Sequence, residues 1–182
     1  VPVDAKKAFW ELSRFPGVER AEALAEIPVT LRNGWREKNV VLLGIPHNSI
    51  LYNIVDKEYN SVPPPKDGIL ISERLAKLLD AKPGSTIYLE SPMMPDPEEE
   101  KPVKVAGVIP QYLGSNGYME LESAQALIGN GKFATAVMLS INREKIPALQ
   151  EAYTRSATVS GITNSADLLA KTKEMMGSYI NS

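Results

Sequence analysis

His47 is the single histidine of the chain, so a Ser-His-Asp triad would need it as the general base. Ser49, Ser72 or another serine would be the nucleophile, but no serine lies in a G-x-S-x-G elbow. Ser72 follows a short apolar segment and precedes a helical pattern, where the ordinary role of a serine is to cap the helix. His47 lies between Pro46 and Asn48, which is typical of a loop. A base, a nucleophile and an orienting group are not assembled, so we expect no enzymatic activity.

Two further segments have the composition of ligand-binding loops. The acidic run at 96–100 offers carboxylates, but it lacks the glycine that a calcium loop needs for its sharp turn. The turn at 114–117 lacks the lysine and the following helix of a phosphate-binding loop. The chain also has no cysteine, which excludes thiolate metal sites and disulfides. We therefore expect no metal and no cofactor.

The loop at 92–100 is the better candidate for a contact surface. Met93 and Met94 lie between two prolines in a segment that we expect to be exposed, and flexible thioethers form adaptable contacts. With Asp96, Glu98 and Glu99 they form a predicted partner-docking site. The alternative is that this loop is an inert hairpin tip.

Composition narrows the classes of partner. The chain has 182 residues, 43% of them hydrophobic, and a net charge of −2. Lysine and arginine are scattered singly, which argues against nucleic-acid binding and against an anionic membrane surface. The longest strongly apolar run, 40–45, is far shorter than the roughly 20 residues of a membrane-spanning helix, and no signal peptide opens the sequence. We expect a soluble piece whose membrane segments lie outside it.

Hydrophobic periodicity predicts mixed helices and strands in the first two thirds. A helix over 5–15 carries Phe9 and Leu12 on one face, and Asn33-Gly34 is typical of a hairpin turn between strands 27–31 and 38–45. No period is evident at 46–62, and three prolines at 63–65 indicate a crossover. Beyond them the pattern predicts strands at 69–71, 85–90, 103–109 and 118–121, with helices starting at Ser72 and Ser123.

The last third has a cleaner pattern. It predicts a buried strand at 134–141, a helix at 144–155 and a strand at 157–162, which together would form a β-α-β unit. A long helix follows from Asn164 or Ser165. Its apolar positions recur close to every seventh residue: Leu168, Leu169, Met175, Met176, Tyr179 and Ile180.

Five segments, in order, resemble the periplasmic core domain of MacB/FtsX-like ABC-transporter permeases. They are the P-G-V at 16–18, the apolar strand ending in G-I at 40–45, the segment 67–89, the V-x-V-x-G of 103–107, and the Y-M-E-L-E-S-A-Q of 118–125. Ser85 and Pro83 depart from the family pattern, which has aspartate after the glycine and commonly valine before it. Beyond residue 128 only the order of elements matches.

The resemblance implies an α+β fold with two subdomains. A membrane-proximal, porter-like β-α-β subdomain would be formed by both chain ends, 1–62 and 132–182, and a β-rich insertion subdomain by 63–131. The domain would lie on the extracytoplasmic side, between membrane helices absent from this sequence. Its implied partners are an ATP-binding subunit or domain of the same transporter, a second permease copy and an extracytoplasmic partner protein.

The terminal helices would then act as stalks. The resemblance implies that hydrolysis inside the cell moves these helices and displaces the outer domain as a rigid body. The residues expected to couple this motion are Phe9, Leu12, Leu168, Leu169, Met175, Met176 and Tyr179. They would equally suit helices that simply cover an α+β core. Two other functions stay open: a free-standing soluble binding or assembly domain of a cell-envelope complex, and a hydrolase.

Overall fold

The computed structural model describes residues 5–110 and 116–154, and these ranges contain four α-helices and seven strands. The helices are α1 (Ala5–Ser13), α2 (Glu73–Leu79), α3 (Leu121–Leu127) and α4 (Ile146–Thr154), the last preceded by a 3₁₀ turn at Arg143–Lys145. The strands are β1 (Val18–Asn33), β2 (Arg36–Ile45), β3 (Ile69–Ser72), β4 (Thr86–Glu90), β5 (Lys101–Ile109), β6 (Asn116–Glu120) and β7 (Ala136–Ile141). The α+β class predicted from the sequence is confirmed.

β1 and β2 form an antiparallel hairpin around the predicted turn. Gly34 has a φ of +62°, a conformation that glycine adopts without steric cost. The ladder runs from Asn33 opposite Arg36 to Ala25 opposite Gly44. The turn is therefore as predicted, but β1 is far longer than the strand expected at 27–31, because it begins already at Val18.

Six of the strands close into a barrel. β1 pairs with β2 on one side and with β4 on the other. β2 continues to β6, β6 to β3, β3 to β5, and β5 back to β4. The β2–β6 and β3–β5 ladders are parallel and the others are antiparallel. Closure leaves no free edge in this ring, which removes the tendency of edge strands to aggregate.

Apolar side chains at alternate positions fill the barrel. Successive side chains of a strand point to opposite faces, so residues two apart share the interior. The interior set is buried and forms one cluster: Ile27, Val29, Leu31, Val40, Leu42, Ile69, Ile71, Ile87, Leu89, Val105 and Met119. Burial of this surface is the main source of stability, at about 25 cal/mol per Å² of apolar area removed from water.

Two short helices close the ends of the barrel. The Ser72 hydroxyl accepts a hydrogen bond from the Leu75 amide and caps α2, as the sequence predicted. α2 lies at the end near the β1–β2 turn, since Asn33 Nδ2 donates to the Leu79 and Asp80 carbonyls. α3 lies against β2 near its other end, and a Cβ on Gly44 would be 2.8 Å from the Ala124 Cβ.

A second apolar cluster lies on the outer face of β2, β3 and β6. It contains Leu24, Leu43, Ile45, Ile54, Leu70, Ile109 and Tyr118, with Tyr52, Val62, Ala136 and Met138 packed against it. Residues 42–45 of β2 are buried whichever face of the sheet they lie on, which accounts for most of the apolar run at 40–45. The segment 46–62, for which the sequence showed no period, covers this cluster as an irregular loop that includes a Val55–Ser61 bridge.

β1 has two partners along one edge. β7 pairs with its first part, from Val18 opposite Ile141 to Leu24 opposite Ala136, and β4 pairs with Thr30–Arg32. In the gap between them the Thr135 amide donates to the Leu24 carbonyl, and the Ser91 hydroxyl donates to the Pro28 carbonyl. Proline fits at this point because its missing N–H faces a gap rather than a ladder.

The predicted elements of the last third agree in part. β7 lies where a strand was expected but is half-buried along its length rather than buried. The helix expected at 144–155 is present as the 3₁₀ turn and α4. The strand expected at 157–162 and the long helix from 164 lie outside the described residues. The two-subdomain division at 62/63 and 131/132 stays a prediction, and ladders of β1 with β4 and of β2 with β6 join its two parts.

Gly44→Val tests the close contact between β2 and α3. The added Cβ would meet the Ala124 and Ala25 Cβ atoms at 2.8 and 3.3 Å, so we expect the free energy of unfolding to fall by about 1–3 kcal/mol. Chemical denaturation gives the value. Gly131→Val is the matched control, because a Cβ there meets nothing within 4 Å. Equal stability of the two variants would contradict the packing described.

Candidate functional site

A buried carboxylate joins the barrel to the β7 side of the fold. Glu22 lies on β1 opposite Met138 of β7 and is 5% exposed. Its oxygens accept hydrogen bonds from the Ser49 hydroxyl at 2.5 Å and from the Ile50 and Leu51 amides. Arg20 Nε donates to it at 2.7 Å. The Glu22 carboxylate therefore fixes the loop that follows β2 to the first half of β1.

Hydrogen bonding decides the charge state of Glu22. Burial alone raises the pKa of the carboxyl, but the donors from Ser49, Arg20 and the Ile50 and Leu51 amides outweigh it, so the pKa lies below its ordinary value. The carboxylate is thus ionised at neutral pH. Its role is structural anchoring, because its donors are all groups of the chain itself.

Arg32 is the centre of an exposed charged cluster. Its guanidinium contacts Glu37 at 2.7 Å and Glu90 at 3.1 Å, and it also hydrogen-bonds Glu100. Hydrogen bonds to Glu37 and Glu100 raise the pKa of Arg32 above its ordinary value. These partners come from β2, β4 and the loop before β5, so the cluster connects three neighbouring parts of the barrel wall.

The predicted docking loop is anchored at its start and exposed afterwards. The Ser91 hydroxyl donates a hydrogen bond to the Pro28 carbonyl of β1. The Met94 side chain is 4% exposed and belongs to the apolar cluster that fills the barrel. The expected exposure is therefore wrong for Met94, because its thioether side chain fills the end of the apolar interior, whereas Met93 is 37% exposed. The other members of the predicted site are exposed: Asp96, Glu98 and Glu99. A docking role for the loop stays a prediction.

The candidate catalytic residues are kept apart. His47 Nδ1 lies 3.6 Å from Glu120 Oε2, and the Ser49 hydroxyl is bonded to Glu22 rather than to the imidazole. Ser72 is fully buried in its capping role. In the acidic loop, Asp96 Oδ1 accepts from the Glu98 amide and so forms a turn. Within the described ranges, no group of three His, Asp or Glu side chains is placed to hold a metal ion.

Of the predicted stalk residues, two can be located. Phe9 is half-buried and Leu12 is buried on α1, which packs against β1 and β7. Leu168, Leu169, Met175, Met176 and Tyr179 lie outside the described residues. None of the helices in the described ranges is long and apolar enough to cross a bilayer.

Comparison with solved structures identifies the architecture. The crystal structure of the extracellular domain of the ABC-type transporter YknZ, from Gram-positive bacteria, matches 84% of this chain and 86% of its own, with a TM-score of 0.57 and 17% identity. The periplasmic region of MacB from Actinobacillus actinomycetemcomitans matches 93% of this chain and 82% of its own, with a TM-score of 0.58 and 15% identity. This chain has the fold of the extracytoplasmic domains of ABC-transporter permeases.

The match concerns fold and not sequence. No protein-family model matches the chain, and no curated protein matches it significantly. The resemblance to MacB/FtsX-like permeases, inferred from five short segments, is confirmed at the level of the fold.

Sequence reasoning missed both Glu22 and Arg32. One signal was available for Glu22, because it is an acidic residue in a β1 segment where small and apolar residues dominate: Ala21, Ala23, Leu24 and Ala25. No such signal existed for Arg32, whose partners are 5, 58 and 68 residues away along the chain.

Glu22→Gln tests the anchor. The amide cannot pair with Arg20 or accept from Ser49, Ile50 and Leu51 as a carboxylate does, so we expect a loss of about 1–3 kcal/mol in the free energy of unfolding at pH 7. Since the pKa of Glu22 is lowered on folding, its contribution is complete above the unfolded-state pKa and disappears as the pH falls through the folded-state value.

Denaturant titrations across acidic pH give the measurement. The difference between the parent chain and Glu22→Gln should shrink toward low pH. Glu19→Gln, an exposed neighbour on the same strand, is the matched control and should leave stability within about 0.5 kcal/mol. A difference that is constant with pH would contradict the anchoring role of the ionised carboxylate.

Proposed function

We propose that this chain is the extracytoplasmic domain of an ABC-transporter permease, where it binds cargo or a partner protein and transmits ATP-driven motion. The observation that carries the proposal is the whole-domain structural match to the extracellular domain of YknZ and the periplasmic region of MacB. Both relatives are largely covered, so the likeness concerns the complete domain rather than a shared supersecondary motif. ATP would bind a separate cytoplasmic subunit or domain, and a second permease copy would complete the transporter.

The long strand β1 suits the transmission of motion. Its first part pairs with β7, and the strand packs against α1. Its second part is one of the barrel strands and pairs with β2 and β4. A displacement applied near Gly17 would therefore move the barrel through a continuous backbone rather than through a flexible linker. The Glu22 anchor opposes bending at the point where β1 leaves β7 and enters the barrel.

Binding is assigned to the exposed side of the barrel. Met93, Asp96, Glu98 and Glu99 are exposed on a loop that Ser91 and Met94 hold in place, which suits a docking surface. Phe9 and Leu12 on α1, together with Leu168, Leu169, Met175, Met176 and Tyr179 further along the chain, would couple the domain to the membrane helices. These assignments are part of the proposal.

Single-cysteine labelling in cells tests the location of the domain. The chain has no native cysteine, so Trp35→Cys in the full-length protein creates a unique thiol in this domain, at a hairpin tip where the tryptophan is 85% exposed. A membrane-impermeant maleimide should label it in intact cells, after outer-membrane permeabilisation where an outer membrane exists. Leu42→Cys, at a fully buried position, is the control and should react only after unfolding.

Labelling of Trp35→Cys only after lysis of the cytoplasmic membrane would contradict the proposal. Reading the gene beyond both ends of this sequence gives an independent check, because each flank should contain an apolar segment of about 20 residues. Polar flanks on both sides would instead support a free-standing domain of a cell-envelope complex.

Proline substitutions test the stalk mechanism. Leu169→Pro and Met176→Pro should break the long helix that the sequence predicts from residue 164, at a cost of about 3 kcal/mol or more each. In the full-length transporter we expect transport to be lost while ATP hydrolysis continues, because the motor would no longer move the outer domain. Leu169→Ala and Met176→Ala are the controls that keep helical propensity. Transport at the parental rate in the proline variants would refute the lever.

A further inference from the structure

The outer face of the β1–β2 hairpin carries an open furrow of about 660 Å³. We call it the hairpin furrow, and its lining residues are Pro28, Val29, Thr30, Asn39, Val40, Val41 and Pro92. Pro28 lies opposite Val41 and Thr30 opposite Asn39 in the ladder, so an apolar pair is followed by a polar pair along the floor. Pro92, at the start of the β4–β5 loop, forms one wall.

The chemistry of the floor suits an extended chain. Pro28, Val41 and Pro92 are exposed, and Thr30 Oγ1 lies 2.7 Å from Asn39 Oδ1 in a hydrogen bond. The side chains of an extended segment alternate between two faces, so every second one would face this floor. The floor itself contains no charged side chain.

Carboxylates surround the furrow. Glu26 and Glu37 lie two residues beyond Pro28 and Asn39 on their strands and so share the outer face, and Glu90 lies opposite Thr30 on β4. Glu100 joins them through Arg32. The Arg32 guanidinium contacts three of these four carboxylates, Glu37, Glu90 and Glu100, so the rim keeps an excess of negative charge. The whole chain, by contrast, is nearly balanced, with 20 basic and 22 acidic residues.

Nearby lysines do not offset this rim. Lys38 lies opposite Leu31, and Lys101 lies opposite Leu89. Leu31 and Leu89 are interior positions, so these lysines belong to the opposite set of the alternation and not to the furrow face. The acidic rim continues instead into the exposed Asp96, Glu98 and Glu99 of the adjacent loop.

We propose that the hairpin furrow binds an extended, lysine- or arginine-rich polypeptide segment that carries small apolar side chains at alternate positions. The apolar side chains contact Pro28, Val41 and Pro92, and the basic side chains face the carboxylates of the rim. The proposal deepens the binding role given above by naming the chemistry of the cargo or partner. Electrostatic complementarity of this kind raises the association rate and makes binding sensitive to salt.

Fluorescence anisotropy with the 182-residue chain tests the site. The probe is a labelled synthetic peptide of alternating lysine and valine, and the comparison peptides replace lysine by glutamate or valine by glycine. We expect only the lysine-valine peptide to bind well, with an affinity that falls as salt is added. Val41→Lys places a like charge on the floor and should weaken binding by at least about tenfold.

Two controls keep the result interpretable. Glu122→Gln removes one carboxylate from an exposed position of α3, outside the furrow, and should leave affinity unchanged, whereas Glu90→Gln should lower it several-fold. Thermal denaturation of Val41→Lys should match the parent chain, because Val41 is 39% exposed.

Equal binding of the glutamate-valine peptide, no binding of the lysine-valine peptide, or full affinity in folded Val41→Lys would each overturn the proposal. None of these outcomes bears on the location of the domain, which cysteine labelling decides separately.

Discussion

The ring of hydrogen bonds that closes the barrel is the constraint on which the other features depend. In a closed sheet every strand has its register set by two neighbours, so no strand can slip without breaking two ladders. β1 satisfies this requirement in its second half and still pairs with β7 in its first half. Between the two partners the Ser91 and Thr135 side chains bond the exposed backbone edge, and Pro28 removes a donor that would have no strand to meet. The junction is therefore fully bonded in spite of the interruption.

Because β1 runs without a break from β7 into the barrel, the residues beside that junction must keep the strand from bending. A strand that is paired on only one edge bends easily, and β2 ends at Ile45, so the first part of β1 extends past the β1–β2 ladder, whose last pair is Ala25 opposite Gly44. Glu22 substitutes for the missing ladder on that side, because its carboxylate collects the amides of the loop that follows β2. A neutral hydrogen-bonding residue would serve this purpose less well, since charge-assisted bonds are stronger than neutral ones. The charged Glu22 side chain thus holds this part of β1 in place, as backbone hydrogen bonds between strands do elsewhere in the barrel.

The sequence predicted most of the elements, because strands and helices each impose a characteristic spacing of apolar residues along the chain. The Asn33-Gly34 turn and the Ser72 cap follow from residue types that few other conformations favour. Closure was not predictable in this way: Val41 pairs with Asn116 in a parallel ladder, and nothing local to either residue indicates the other. The Arg32 cluster was not predictable for the same reason, because two of its three partners are distant from Arg32 along the chain. Met94 was misplaced because composition suggested an exposed loop, whereas the open end of the barrel offered an apolar space for one side chain.

Closure also determines how the barrel can recognise another molecule. Extended peptides commonly bind proteins by adding a strand to a free sheet edge, where backbone hydrogen bonds supply affinity regardless of sequence. The ring of β1, β2, β6, β3, β5 and β4 contains no edge strand, because each of these strands pairs with two neighbours in the ring. Recognition on its wall must then come from side chains, which makes it dependent on the charge and shape of the partner. The acidic rim and the Pro28–Val41 floor are such a surface, so binding there is expected to select by composition rather than by backbone conformation alone.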